Sequence, residues 1–328
     1  MVKQFANIKN FVSQVDVYNF KILPTFILAC SLLMTCKQYL MKPIACYTAN
    51  LPSGSGMESY IENFCYTTEK YFVGVNKLVH ANRLQNNIYI WFPLILLLQA
   101  ISLNLPKLLW NYFGRCVDYC YIRELCQKAR LDEGMIKKLI IYLQMQRLHL
   151  CGSSGILVAY MLTRVILISI VFLNMLFLLK YLFSNDTFLP LIIVHNFITG
   201  NTTQPANSIF SATVFCELDI RHLSKMNNFY SQCTLPANML YEKLFSIVWL
   251  FLIISLAATL FDVSKSLMYL IFKRRIISYY LKRDVKNFYT TINMNLYFEI
   301  LLLSQFSSVI ARNIFKNLYH TYAKGKIV

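Results

Sequence analysis

The stretch LFSIVWLFLIISLAATLFDVSKSLMYLIF occupies residues 244–272 and is one of four long apolar segments in the chain. A helix needs about 20 consecutive, mostly apolar residues to cross the hydrocarbon core of a bilayer. Three further segments meet this requirement, at residues 22–40, 88–113 and 156–183. Since a helix satisfies its own backbone hydrogen bonds where no water is present, the sequence predicts four transmembrane helices.

The composition agrees with a membrane protein. The 328 residues are 57% hydrophobic and only 14% charged, with a mean hydropathy of +0.47, whereas soluble domains carry about 25% charged residues. We expect no cleavable signal peptide, because the first twenty residues include Lys3, Lys9 and Asp16 and lack a continuous apolar stretch. The expected fold class is an all-α, multi-pass membrane protein.

The distribution of positive charge predicts the orientation. Segments 1–21, 114–155 and 273–328 hold 3, 7 and 10 Lys and Arg residues, against 4 and 3 in segments 41–87 and 184–243. By the positive-inside rule, the first three segments face the cytosol and the other two lie outside the cell. The net charge of +17 is then explained by orientation and by attraction to anionic lipid, without nucleic acid.

The cytosolic segments carry helical patterns. In residues 1–21, Phe5 and Ile8 recur at helical spacing beside polar Gln4 and Asn7, which predicts a short amphipathic helix. It either lies on the membrane or folds into a pore.

The middle loop, 114–155, and the tail, 273–328, are also expected to be helical. Residues 294–310 are the most apolar part of the tail, but Glu299 within them argues against a fifth span.

Four cysteines fall in the two outside segments, two in each: Cys46 and Cys65 in the first, Cys216 and Cys233 in the second. Thiols pair stably in an oxidising compartment, so this even division suggests that the two loops are stapled to each other. The remaining cysteines show no paired C-x-x-C spacing, and the sequence lacks the phosphate-binding, zinc-protease and serine-hydrolase motifs. We therefore expect no catalytic residue, no metal and no cofactor.

Four blocks of sequence carry a family resemblance. After span one come Lys37-Gln-Tyr39 and Lys42-Pro-Ile-Ala-Cys46, and the first loop continues with Tyr60, Glu62, Phe64 and Cys65. Span two has Tyr89, Trp91, Pro93, Gln99-Ala100, Pro106 and Trp110. The second loop and the start of span four have Phe215-Cys216-Glu-x-Asp-Ile-Arg221, Gln232-Cys-x-Leu-Pro236, Asn238, Glu242-Lys243 and Trp249. These blocks resemble the innexins, the gap-junction channel subunits of invertebrates, which are related to the pannexins.

The resemblance implies a function, an assembly and a disulfide pairing. An innexin-like chain would form a ring with itself, and with other innexins where present, around a wide and weakly selective pore for ions and small metabolites. The ring would have eight subunits and dock to a ring in the adjacent cell. The family pairing joins Cys46 to Cys233 and Cys65 to Cys216. The N-terminal segment would form a funnel, with Gln4 and Asn7 as pore-lining candidates.

For some single residues, the sequence allows two interpretations of their role. Pro93 predicts a kink in span two, as a hinge or as a static bend. Lys37, near the outer end of span one, either snorkels to the membrane surface or lines the pore mouth. Asp262 and Lys265 are interpreted as a local pair on one helix face. Asn185 and Asn201 are glycosylation sequons, of which Asn201 is the better candidate because Asn185 lies at the membrane edge.

Two alternatives to a docked channel stay open. A glycan on the docking surface would leave an undocked, pannexin-like hemichannel in the plasma membrane. A tetraspan adhesion or scaffold protein also has four spans and cytosolic termini. Such proteins concentrate their cysteines in one outside loop, so the even division of cysteines argues against that class.

Overall fold

The computed structural model describes residues 13–47, 55–67, 70–71, 83–84, 88–116, 138, 155–183, 186–200, 213–222, 225–282, 288–305 and 308–323. Four helices in these ranges are long and apolar enough to cross a membrane: Gln14–Tyr39, Phe92–Phe113, Leu157–Tyr181 and Pro236–Ile271. They are called spans one to four. The expected four-span helical class is confirmed.

Span one is assembled from three consecutive helical pieces. Helix α1, Gln14–Val17, leads through a π-helical turn, Tyr18–Ile22, into α2, Leu23–Tyr39. Pro24 accounts for the change of helix type, since it has no backbone N–H to donate and its ring crowds the preceding turn.

Span two contains a break that coincides with a proline. A 3₁₀ turn, Ile88–Trp91, leads into α4, Phe92–Ser102, and α5, Leu105–Cys116, follows after a turn at Leu103 and Asn104. Pro106 stands at the second position of α5, where a missing backbone donor is tolerated. Helix α3, Ser55–Thr67, precedes this span and lies in segment 41–87. Segments 41–87 and 184–243 are called the outside segments below, after their predicted orientation.

Spans three and four are single continuous helices. Helix α6, Gly155–Tyr181, forms span three, and a short helix, α7, Leu189–Thr199, follows it. Helix α8, Pro236–Ile271, forms span four. Its 36 residues extend about 54 Å, so α8 is longer than the hydrocarbon core is thick.

The outside segments also form a five-stranded sheet, which differs from the loops expected from the sequence. The strands are β1, Ala45–Tyr47; β2, Lys70–Tyr71; β3, Arg83–Leu84; β4, Thr213–His222; and β5, Lys225–Thr234. They are ordered β1-β5-β4-β2-β3. The long hairpin of β4 and β5 pairs from Thr213 with Thr234 to His222 with Lys225. Each neighbouring pair of strands is antiparallel.

The described residues of the tail form four further helices, α9 to α12: Lys273–Leu281, Phe288–Thr291, Met294–Ser304 and Ser308–Ala323. Aromatic and aliphatic side chains such as Phe288, Tyr297 and Phe315 form a buried core between them. The eleven residues of α11 are too few to cross a bilayer.

The chain divides into two compact units. One comprises Met1–Ile22, Leu103–Val171 and Ser255–Val328, and therefore contains the tail. The other comprises Leu23–Ser102 and Phe172–Ile254, and contains the sheet.

Glu299 is a buried carboxyl group in the tail helix α11, 6% exposed, and burial raises its pKa to about 8. The unfolded tail loses this proton near pH 4.5, whereas the folded tail keeps it until about pH 8. The folded state therefore binds more protons in this window, and the stability of the tail should fall as pH rises through it, by at most about 1.4 kcal/mol per pH unit.

We expect Glu299→Gln to remove this pH dependence and to stabilise the tail at neutral pH. Hydrogen exchange of tail amides at pH 6 and pH 8, corrected for intrinsic exchange, measures the effect. Glu58→Gln, which changes an exposed carboxyl group on α3, is the control. A Glu299→Gln protein that kept the wild-type pH dependence would contradict the prediction.

Candidate functional site

Two disulfides join the first outside segment to the second. Cys46 is bonded to Cys233 and Cys65 to Cys216, across sequence separations of 187 and 151 residues. Strand pairing positions the first bond, because β1 and β5 place Cys46 directly opposite Cys233. Helix α3 carries Cys65 to β4. These are the pairs that the resemblance implies, and non-reducing peptide mapping of the protein is the test of them.

The disulfides lie in a small hydrophobic core of their own. Cys65, Cys216 and Cys233 are fully buried, among Ile44, Ile61, Val214, Leu218 and Leu235. Among the described residues, the one group with the spacing of metal ligands is Cys46, Cys65 and Cys233, and all three sulfurs are already bonded in disulfides. This core therefore holds crosslinks and gives no metal site.

Side-chain hydrogen bonds tie the edge of this sheet further. Ser231 Oγ donates to the Tyr47 carbonyl at 3.0 Å, and Thr234 Oγ1 donates to the Ala45 carbonyl at 3.3 Å. Lys42 also pairs with Glu62 at 3.1 Å, which links the end of span one to α3, although an ion pair this exposed adds little stability.

Lys37 is half-buried, and its Nζ lies 3.8 Å from Met41 Sδ. Pro93 is the second residue of α4, and its carbonyl accepts a hydrogen bond from Ser31 Oγ at 2.8 Å. Its role as a kink or hinge stays a prediction. Gln4, Asn7, Asn185 and Asn201 lie outside the described residues.

A buried charged network joins the start of span one to spans three and four. Arg164 of span three forms ion pairs with Asp16 of α1 and with Asp262 of span four, the second at 3.1 Å between Nη2 and Oδ2. These three side chains are 5%, 6% and 9% exposed. Tyr160 adds a hydrogen bond from its hydroxyl to Asp262 at 3.3 Å, and its ring lies 4.8 Å from the Arg164 guanidinium.

Neutral polar side chains also attach the start of span one to span four. Asn19 donates from Nδ2 to Thr259 Oγ1 at 2.9 Å and accepts from Ser255 Oγ at 2.8 Å. Ser13 caps α1 reciprocally: its hydroxyl accepts from the Asp16 backbone, and the Asp16 carboxylate accepts from the Ser13 backbone. The chain from Ser13 to Asn19 is thus fixed by contacts to two spans.

The sequence pattern does not predict this network, and it predicts the wrong partner for one member of it. The structure pairs Asp262 with Arg164, not with Lys265, whose Nζ instead lies 5.7 Å from the Tyr269 ring centre. One signal was available. An arginine well inside an apolar span is costly unless it is paired, so Arg164 itself predicted a buried acidic partner.

Comparison with known proteins identifies the family. A model of the innexin family matches residues 13–322. The chain belongs to the innexin family. It is 29% identical to innexin-2 of Caenorhabditis elegans over 75% of this chain and 62% of the relative. It is 27% identical to innexin-11 of the same organism, over 74% of this chain and 60% of the relative. The chain thus spans about three fifths of the length of these relatives.

Aromatic and polar contacts hold spans one, two and four together inside the second unit of this innexin. Phe92 of span two packs edge-on against Tyr241 and Phe245 of span four, with ring centres 5.7 and 5.0 Å apart. The Tyr241 hydroxyl donates to the Met34 carbonyl at 3.4 Å, and Gln38 Nε2 donates to the Ile90 carbonyl at 3.3 Å. Of these residues, Gln38 belongs to the blocks that resemble the family. Innexins are channel proteins and not enzymes, which agrees with the absence of catalytic motifs from the sequence.

Proposed function

We propose that this innexin is a subunit of a gap-junction channel with a wide, weakly selective pore for ions and small metabolites. The single observation that carries the proposal is the pair of disulfides between the two outside segments of a four-span innexin chain. Two crosslinks and a shared sheet give the loops a rigid rim. A rigid rim is suited to meeting an identical rim across the gap between two cells.

In the proposed topology, the chain is a multi-pass protein of the plasma membrane at cell junctions, with both termini in the cytosol. The excess of Lys and Arg in segments 1–21, 114–155 and 273–328 supports this orientation. It also places all four disulfide cysteines outside the cell, where disulfides form and persist.

In the proposed assembly, eight subunits form a ring with membrane lipid around it, and two rings dock head to head. The partners are further copies of this chain and other innexins. Selectivity in so wide a pore would come from rings of charge and from pore diameter, and not from dehydration of an ion at a narrow filter.

The N-terminal segment is proposed to line the cytosolic mouth of the pore. Gln4 and Asn7 would face the lumen, and Lys37 would lie at the opposite, outer mouth. The charged network supports this arrangement, because it fixes the point where the N-terminal segment leaves span one. Residues 1–12 then begin from an anchored base at Ser13.

An undocked hemichannel is the second candidate, and one observation favours it. Both sequons, Asn185 and Asn201, lie in the second outside segment, which also supplies β4 and β5. A glycan is bulky and hydrated, so it would prevent docking if it stood on the docking surface. A tetraspan adhesion protein is less well supported, because both outside segments carry disulfide cysteines.

Dye transfer between paired cells separates the channel candidates. We expect cells that express the wild-type chain to pass a small tracer to each other, and Asn201→Gln to leave this transfer unchanged, because we place the glycan on the outer flank of the ring. Asn185→Gln is the matched control. Uptake of the tracer by single cells without transfer between pairs, with transfer restored by Asn201→Gln, would establish the hemichannel instead.

A further inference from the structure

Helix α7, Leu189–Thr199, is apolar on both of its faces. Leu189, Pro190 and Ile193 are buried against the protein. The opposite face follows a strict helical spacing and is exposed: Phe188, Leu191, Ile192, His195, Ile198 and Thr199. Ile198 is 77% exposed and Phe188 71%. A helix that is hydrophobic all round needs an apolar environment on its second face as well.

Polar groups on this exposed face are few. Thr199 Oγ1 donates to the His195 carbonyl at 2.9 Å, so its hydroxyl is satisfied within the helix. His195 is the one ionisable side chain on the face, and no Lys, Arg, Asp or Glu occurs between Leu189 and Thr199. A surface helix that met only water would carry charged residues here.

Both ends of α7 are close to the ends of spans, the first along the chain and the second in space. At its start, seven residues separate it from Tyr181, where span three ends, and a turn with an Asp186 to Phe183 backbone hydrogen bond shortens that connection. Near its end, the Phe197 ring lies 4.9 Å from the ammonium group of Lys243, close to the start of span four. The helix is therefore held near the ends of two spans.

The residues where α7 meets spans three and four are lysines and aromatic residues, which are typical of a membrane surface. Lys180 and Tyr181 close span three, with the Lys180 ammonium 5.7 Å from the Tyr181 ring centre. Aromatic residues and lysines with long apolar stems are enriched where hydrocarbon meets headgroups. Span three also exposes apolar side chains, such as Leu173 and Leu176.

We propose that α7 is an in-plane membrane anchor whose exposed face is embedded in the outer leaflet of the bilayer. Eleven residues of helix extend about 16 Å, half of the hydrocarbon thickness, so α7 lies along the leaflet instead of crossing it. Interfacial helices bind membranes in this way, with an apolar face buried at the boundary of headgroups and acyl chains. The bound partner is phospholipid. The inference rests on the proposed topology, which puts α7 outside the cell.

Site-specific photocrosslinking tests the inference. The photoreactive amino acid benzoylphenylalanine replaces Ile198 in one variant and Phe188 in a second, so that a failure of either variant to reach the surface leaves the other. It replaces Met226 in the control, because Met226 is a large, 60% exposed side chain on the sheet strand β5. The assembled protein is irradiated in cell membranes, and adducts are identified by mass spectrometry.

We expect phospholipid adducts at Ile198 and Phe188 in severalfold excess over Met226. Adducts between subunits at Ile198 and Phe188 would overturn the proposal, because the face would then be a subunit interface. A lack of both kinds of adduct would also overturn it. Labelling of Met226→Cys by a membrane-impermeant thiol reagent on intact cells checks the topology separately. If Met226→Cys is labelled but the lipid adducts are missing, the topology is right and the proposed anchor is wrong.

Discussion

Replacing Cys65 with serine should abolish coupling between paired cells and strongly reduce the amount of protein at the cell surface. The bond from Cys65 to Cys216 closes a loop of 151 residues, and a native disulfide contributes about 2–4 kcal/mol by restricting the unfolded chain. Both cysteines are fully buried in the core of the outside sheet, so the substitution also leaves an unpaired thiol at Cys216 inside this core. Loss of the rim would then prevent both export and docking.

The double variant Cys65→Ser with Cys216→Ser removes the unpaired thiol and measures the loss of the crosslink alone. We expect it to reach the surface better than the single variant and still to fail in coupling. Cys36→Ser is the matched control, because Cys36 is a free, exposed cysteine of span one. Normal coupling by the Cys65→Ser protein would contradict the account, and so would a peptide map in which Cys46 is joined to Cys65.

Replacing Arg164 with leucine should be nearly as damaging. The substitution leaves the carboxylates of Asp16 and Asp262 buried without their cation, and breaking a buried ion pair from one side costs about 3–5 kcal/mol. We expect little assembled protein. Arg164→Lys should rescue it only in part, because an ammonium is a point charge and does not match two carboxylates as the guanidinium fork does.

A milder variant tests whether the network positions the N-terminal segment. Asp16→Asn keeps an oxygen that can accept the Ser13 hydrogen bond and leaves Arg164 paired with Asp262, so we expect normal surface expression. Its unitary conductance should change in the same direction as that of a chain lacking residues 2–12. Thr259→Val, which removes a neutral contact of Asn19, should have a smaller effect. Wild-type conductance in Asp16→Asn, together with altered conductance after the deletion, would show that the network does not position the N-terminal segment.

The four spans were predictable because each is a long apolar run. The hydrocarbon core of a bilayer is the stable environment for such a run. The outside sheet was missed, although β4 buries Val214, Cys216 and Leu218 in strict alternation, a period that indicates a half-buried strand. The hydrophilic average of the second outside segment predicts a loop. Its cysteines pointed to the crosslinks without revealing the strands that hold them.

The charged network could not be predicted from the spacing of charged residues along the sequence. Asp16, Arg164 and Asp262 come from three distant parts of the chain, and only the fold brings them together. Local spacing was misleading for Asp262, since Lys265 lies one helical turn away on the same helix. Inside a membrane, a buried guanidinium competes for a carboxylate better than a lysine that can extend to water.

Imaging of the purified protein by electron microscopy tests the central claim most directly, because a channel subunit must form a ring. The account predicts rings of eight subunits around a wide central pore, some of them paired head to head through the outside sheets. Removal of the Cys65 to Cys216 crosslink should abolish the pairs. A protein that is monomeric or dimeric in membranes and encloses no pore would contradict the account.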